Sequence, residues 1–273
     1  MNYIEVKNLD FSYTKSEPWV LKNIDLQAQQ GEFITILGPS GCGKSTLLKL
    51  IAGLQRPTRG SIQMNGQKIK GASLDRAFVF QNYGLFPWMT AGENIRIALK
   101  QKFPSMNKQA LGNRILELLT MVGLDHDVAN KLPKELSGGM QQRCSIARAF
   151  GIDSPVLLMD EPFGALDAIT RAKLQDLVIN LWSHLDNSKT VFFVTHDVDE
   201  AIYLGTRTIV LGQKPSSIIH DVKIPDAKDL DRKNLYKDPE ILNLRNELLF
   251  YINQDINEHI ESVEEEDLSN VKN

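Results

Sequence analysis

Gly38-Pro39-Ser40-Gly41-Cys42-Gly43-Lys44-Ser45 fits the pattern G-x-x-x-x-G-K-[ST] and follows directly on Phe33-Ile34-Thr35-Ile36-Leu37. That apolar, partly β-branched pentad reads as a short strand buried on both faces. After the glycine-rich turn, Thr46-Leu47-Leu48-Lys49-Leu50-Ile51 takes up a helical period. A glycine-rich turn between strand and helix lets backbone N–H groups turn inward around phosphate oxygens, where a Cβ would obstruct the turn or the ligand. The helix that opens there aims its unpaired N–H groups and positive dipole end at the same anion. Lys44 adds a mobile point charge for the β and γ phosphates, and the Ser45 hydroxyl suits Mg²⁺. A turn that merely joined strand to helix would leave Lys44 unexplained. The stretch is read as a nucleotide phosphate cradle.

Two further apolar runs, Val156-Leu157-Leu158-Met159 and Val191-Phe192-Phe193-Val194, read as core strands separated by a leucine-rich helix. Strands alternating with helices imply right-handed crossovers and a parallel sheet. Before the cradle, residues 3 to 37 read as short strands broken by turns. From about Asn82 to Gly151 the pattern is helical, with Ile115, Leu116, Leu118 and Leu119 on one stripe and Ser137 as an N-cap. The expected architecture is α/β, with a helical insertion between early and late strands. Asp160 and Glu161 end the Val156 run, where α/β sheets bind ligands. Neighbours on a strand point opposite ways, so the two acids should have separate tasks. Asp160 suits the Mg²⁺ shell, and Glu161 suits activation of an attacking water. His196 follows Val191–Thr195 in the same way and is a candidate γ-phosphate contact.

The chain has 273 residues, is 42% hydrophobic and 24% charged, and carries a net charge of -3. Such a balance fits a globular protein with a substantial core, and gives no electrostatic support for nucleic acid or anionic lipid as a partner. No run of about 18 apolar residues occurs, so no membrane span is expected. The amino terminus alternates like a strand and lacks the layout of a signal peptide. Cys42 and Cys144 fit no metal-ligand spacing and read as packing residues in a reducing compartment.

Leu136-Ser137-Gly138-Gly139-Met140-Gln141-Gln142-Arg143 resembles the signature of ABC ATPases. The resemblance covers residues 1 to about 222 and implies a P-loop NTPase core with an amino-terminal antiparallel β subdomain and an inserted helical signature subdomain at about 82–151. Residues 223–273 are then a helical extension with an acidic tail. It also implies binding of ATP and Mg²⁺ and a head-to-tail dimer. Ser137, Gly138, Gly139 and Gln141 would meet the γ-phosphate held by the other copy. Tyr13, in Phe11-Ser12-Tyr13, looks like the aromatic that stacks on adenine. Gly38, Pro39, Ser40, Gly41, Cys42, Gly43, Lys44, Ser45 and Thr46 would bind the phosphates. Gln81 looks like the lid glutamine that joins Ser45 and Asp160 at the metal. Asp167 looks like the residue linking the two sites of the dimer, and His196 like the switch histidine beside the catalytic Glu161.

Phe80-Gln81-Asn82-Tyr83-Gly84-Leu85-Phe86-Pro87-Trp88-Met89-Thr90 is similar to the lid of importers for nitrate, taurine and other sulfonates, and bicarbonate. That resemblance implies a peripheral protein on the cytoplasmic face of the cell membrane. Its partners would be transmembrane permease subunits and an extracytoplasmic solute-binding protein, with no nucleic acid. Phe86 and Trp88 are either anchors for the permease or packing residues of the helical subdomain. The rival readings are a soluble ABC ATPase acting on nucleic acid or ribosomes, and an exporter ATPase. The acidic run from Glu258 to Asp267 reads as a solvated or disordered tail.

Overall fold

The structure is a computed structural model that describes residues 3–14, 17–184, 189–224, 232 and 235–270, with side chains to residue 259 except at 184. In chain order the elements open with β1 (Ile4–Phe11), β2 (Leu21–Ala28), β3 (Phe33–Leu37), α1 (Lys44–Ala52), β4 (Arg59–Met64), β5 (Gln67–Lys68) and β6 (Arg76–Val79). The helices α2 (Ala91–Lys102), α3 (Lys108–Met121) and α4 (Gly138–Gly151) follow, then β7 (Val156–Asp160), α5 (Ala168–His184) and β8 (Thr190–Val194). The chain continues with α6 (Val198–Leu204), β9 (Arg207–Leu211), β10 (Ile218–Lys223) and α7 (Pro239–Asn270). Contacts divide it into two compact units, Met1–Gly71 with Phe193–Asn273, and Ala72–Phe192.

The first unit carries the antiparallel sheet expected at the amino terminus, in the order β2-β1-β4-β5. In β2, Leu21, Ile24, Leu26 and Ala28 are buried and the residues between them exposed, as one packed face requires. The cradle strand β3 has all five residues buried and pairs in parallel with β9, from Ile34 opposite Arg207 to Leu37 opposite Val210. β10 runs antiparallel to β9, an edge that the alternation of strands and helices did not reveal. Asp238 opens α7 by accepting from the Glu240 N–H at 2.9 Å, and Pro239 fits the first turn, where no N–H is needed.

α7 belongs to the first unit's core. Ile241, Leu244 and Leu248 are buried in one cluster with Leu37, Ile202 and Val210. Leu248 is fully buried, so Leu248→Ala should cost about 3 kcal/mol, read as a lowered urea midpoint without a changed slope. The helical backbone runs on through Asn270, so the acidic run does not break α7. The side chains of Glu261, Glu264, Glu265, Glu266 and Asp267 lie outside the described residues.

In the second unit β6 pairs in parallel with β7, from Arg76 opposite Val156 to Val79 opposite Met159. The helical stretch resolves into α2, α3, two short 3-10 turns and α4, with Leu111, Ile115, Leu118 and Leu119 buried on α3. A capping box of Thr90 and Glu93 starts α2, Asn107 caps α3 and Ser137 caps α4. Among the described residues no helix is long and apolar enough to cross a membrane.

Candidate functional site

In the first unit the cradle joins β3 to α1. Gly38 has φ +153, and a Cβ there would stand 2.5 Å from the Leu211 carbonyl oxygen, so backbone alone fills the space. Gly43, at φ +115, is the N-cap of α1 and leaves the helix without a side-chain cap, unlike the caps of α2, α3 and α4. That start leaves its first turn suited to an anion. Lys44 is buried, and its Nζ donates to the carbonyls of Gly38 and Pro39 at 2.8 Å each. Pro39, Ser40 and Gly41 turn the loop between them, with the Cys42 N–H bonded to Pro39 O at 3.4 Å.

Tyr13 reaches the same loop. Its hydroxyl hydrogen-bonds the Thr46 Oγ1 at 2.9 Å, and its ring, 54% exposed, packs edge-on against Phe11. The ring, held at its far end, leaves an aromatic face open to solvent beside the cradle. His196 is exposed one residue beyond Thr195, whose N–H donates to Ile36 O at 3.1 Å. That bond sets His196 level with the carboxyl end of β3, where the cradle starts. Cys42 is buried, as its reading as a packing residue required, and burial pushes its thiol up from the ordinary range. Cys144 is buried too, its thiol pushed up to about 12 by desolvation.

The second unit holds the carboxylates, the lid and the signature. Asp160 closes β7 and is buried. Glu161 lies beyond the strand with φ +41, so the expectation that strand alternation separates the two acids needs correction. A left-handed turn separates them, a conformation that a glutamate adopts only under constraint. Gln81 Nε2 donates to Glu161 Oε2 at 3.1 Å, which joins the lid to the second acid.

Ser137 Oγ accepts from the Met140 N–H at 3.3 Å, and Gln141 Nε2 donates back to Leu136 O at 3.2 Å. Side chains also crowd the Cα atoms of the next two positions. A Cβ on Gly138 would meet the Tyr83 hydroxyl at 2.9 Å, and one on Gly139 the Thr170 Cγ2 at 2.8 Å. Asp167 Oδ1 accepts from the N–H groups of Thr170 at 3.0 Å and Ile169 at 3.1 Å, which caps α5. Those bonds, Thr170 first, hold its carboxyl below the usual carboxylate range. Asp167 thereby fixes the turn that carries Thr170 onto Gly139.

Sequence reasoning missed Tyr83, Thr170, Arg148 and Asn94. Arg148 donates to Gly84 O at 2.6 Å and Tyr83 O at 3.2 Å, which pins the lid where Tyr83 takes φ +65. Burial pulls its guanidinium below the ordinary value. Asn94, fully buried, accepts from the Phe86 N–H and donates to the carbonyls of Phe86, Met89 and Thr90. The side chains stand clear of that bonding, Trp88 at 71% exposure and Phe86 at 38%, their ring centres 5.5 Å apart, so Trp88 is not buried inside the helical subdomain. Asparagine and glycine beside Tyr83 are residues that favour turns, but no sequence feature points to Arg148 or Thr170. Among the described residues no group of three or more His, Cys, Asp or Glu side chains could hold a metal.

A family model described as "ABC transporter" matches residues 21–164. The bicarbonate transport ATP-binding protein CmpD of Synechococcus elongatus is 42% identical over 253 residues, covering 92% of this chain and 90% of that protein. The nitrate import ATP-binding protein NrtD of the same organism is 42% identical, covering 88% of this chain and 87% of that protein. The chain spans only 38% of the length of the bicarbonate transport ATP-binding protein CmpC, at 43% identity. A dimeric ATP-binding cassette solved in a post-hydrolysis state with ADP and phosphate superposes with a TM-score of 0.72 at 36% identity, covering 81% of this chain and 98% of that one. With a family model spanning more than half its length and a relative matched nearly end to end, this chain belongs to the ABC transporter family, among its ATP-binding proteins.

Proposed function

We propose that this chain hydrolyses ATP to power import of a small anion, in the class of bicarbonate or nitrate, through partner membrane subunits. The observation that carries the reading is the hydrogen bond from Gln81 to Glu161, which ties a lid beside exposed aromatics to the candidate catalytic base. A membrane partner that moves Phe86 and Trp88 would thereby move Gln81, and with it the orientation of Glu161. Similarity to bicarbonate and nitrate importers over some nine-tenths of the chain supports the cargo class and import.

The proposed mechanism follows from the residues. Tyr13 stacks on the base, while the cradle amides and Lys44 neutralise the phosphates. Glu161 takes a proton from a water whose oxygen attacks the γ-phosphorus, and the bond to the bridging oxygen of ADP breaks in line. His196 steadies the γ-phosphate from the end of β8. On the family resemblance, Ser45 of the first unit and Asp160 of the second would each lend a hard oxygen donor to Mg²⁺, and Gln81, its Nε2 engaged with Glu161, would lend Oε1. Bound there, the ion would neutralise phosphate charge. Ser137, Gly138, Gly139 and Gln141 of a second copy complete each site, so closure of a head-to-tail dimer assembles two of them and drives the permease between access states. Delivery would come from an extracytoplasmic solute-binding protein, and the chain would work on the cytoplasmic face of the membrane.

The test is ATP hydrolysis by the chain reconstituted with its permease in proteoliposomes, with bicarbonate and nitrate offered separately. Solute-dependent hydrolysis that Lys44→Ala abolishes is the expected result. Stimulation by ribosomes or DNA in the absence of any permease would overturn the reading.

A further inference from the structure

The cradle rests on a wall that α7 grips from behind. Beyond the Leu211 carbonyl that fills the space against Gly38, the chain closes a loop in which Gly212 N donates to Ser217 O at 3.1 Å. Ser216, buried in this loop, donates its hydroxyl to the carbonyl of Cys42 inside the cradle. Its N–H bonds Val20 O at 3.0 Å, and its carbonyl accepts from Lys22 N at 2.9 Å. The residue between them, Leu21, lies 2.9 Å from where a Cβ on Gly43 would stand. Residues 20–22 and 211–217 therefore back the cradle at Gly38, Cys42 and Gly43.

Asp255 of α7 closes on that wall. Its Oδ2 accepts from the Gln213 N–H at 2.8 Å, and its Oδ1 would stand 2.5 Å from a Cβ on Gly212, so the carboxylate sits against the backbone at that point. Its charge reaches the cradle. Burial is the main cause of the raised Cys42 thiol, Lys44 opposes it, and Asp255 adds to it. The rest of α7 is anchored through Leu244 and Leu248 in the cluster that also holds Leu37 at the end of β3.

We infer that Asp255 is a positioning residue for nucleotide binding, holding the loop 212–217 so that Leu211 and Ser216 keep the cradle amides in register. This rests on the reading of the cradle as an ATP site and adds a tie from the carboxyl-terminal helix to it. Phosphate recognition by several N–H groups at once tolerates little displacement, so loosening the wall weakens binding with no loss of a ligand-touching group.

The experiment measures ATP affinity of the full chain with a fluorescent ATP analogue, and amide hydrogen exchange. Asp255→Ala should weaken binding about tenfold, and Asp255→Asn, which keeps an acceptor oxygen, should stay within about twofold of the parent. In Asp255→Ala, exchange should rise at Gln213, Gly38 and residues 40–43 and stay unchanged at Ile241–Leu248. Unchanged affinity in Asp255→Ala, equal loss in Asp255→Asn, or loosening of all α7 would each overturn the inference. A parent chain that binds no ATP would instead sink the nucleotide reading itself.

Discussion

Glu161→Gln should bind ATP as tightly as the parent chain and hydrolyse it about a thousandfold more slowly, the scale expected for losing a general base. The geometry makes this substitution a clean test. Glutamine keeps the size of glutamate and can accept from Gln81 Nε2 through its own carbonyl oxygen, so the 3.1 Å contact survives while the charge goes. The left-handed turn at φ +41 is a backbone feature and imposes the same strain on either residue. With hydrolysis removed and binding retained, ATP should hold two copies together. The readout is a dimer on size-exclusion chromatography with ATP, absent with ADP. Steady-state hydrolysis equal to the parent's would refute the role given to Glu161.

Ser137→Arg carries the second large effect, because it acts on one copy's signature while leaving that copy's cradle intact. The hydroxyl caps α4 through the Met140 N–H, a contact worth about 1 kcal/mol, so the variant should fold with a modest loss of stability. Steady-state hydrolysis should vanish, whereas ATP affinity of the isolated monomer, read at Tyr13 and Lys44, should not change. Added to Glu161→Gln, the same substitution should abolish the ATP-held dimer. A monomer that loses ATP affinity would show that Ser137 serves its own copy's site.

Much of this was legible locally. The cradle from Gly38 to Ser45, the acids after Met159 and the cap at Ser137 are short segments whose chemistry depends on neighbours in sequence. Strand burial was legible for the same reason. The apolar pentad Phe33–Leu37 is buried at every position, as its composition requires, and β2 alternates from Ile24 to Ala28.

Elsewhere the decisive partner lay far along the chain. Arg148 is 64 residues from Gly84, and Asp255 is 42 residues from Gln213. Arginine on a helix or aspartate in a polar stretch is ordinary in sequence, and only folding turned these two into clamps on the lid and the cradle wall. Gly139 carries a comparable lesson. Its spacing marked it as a signature glycine, and folding adds the Thr170 methyl, set by the Asp167 cap, as the group that crowds its Cα. Sequence alone determined which atoms are offered to phosphate and water, because functional groups are fixed by residue identity and local period. The tertiary structure decided how Glu161 is aimed, what holds Tyr83 and how α7 bears on β3, because these depend on packing and left-handed turns that distant contacts impose.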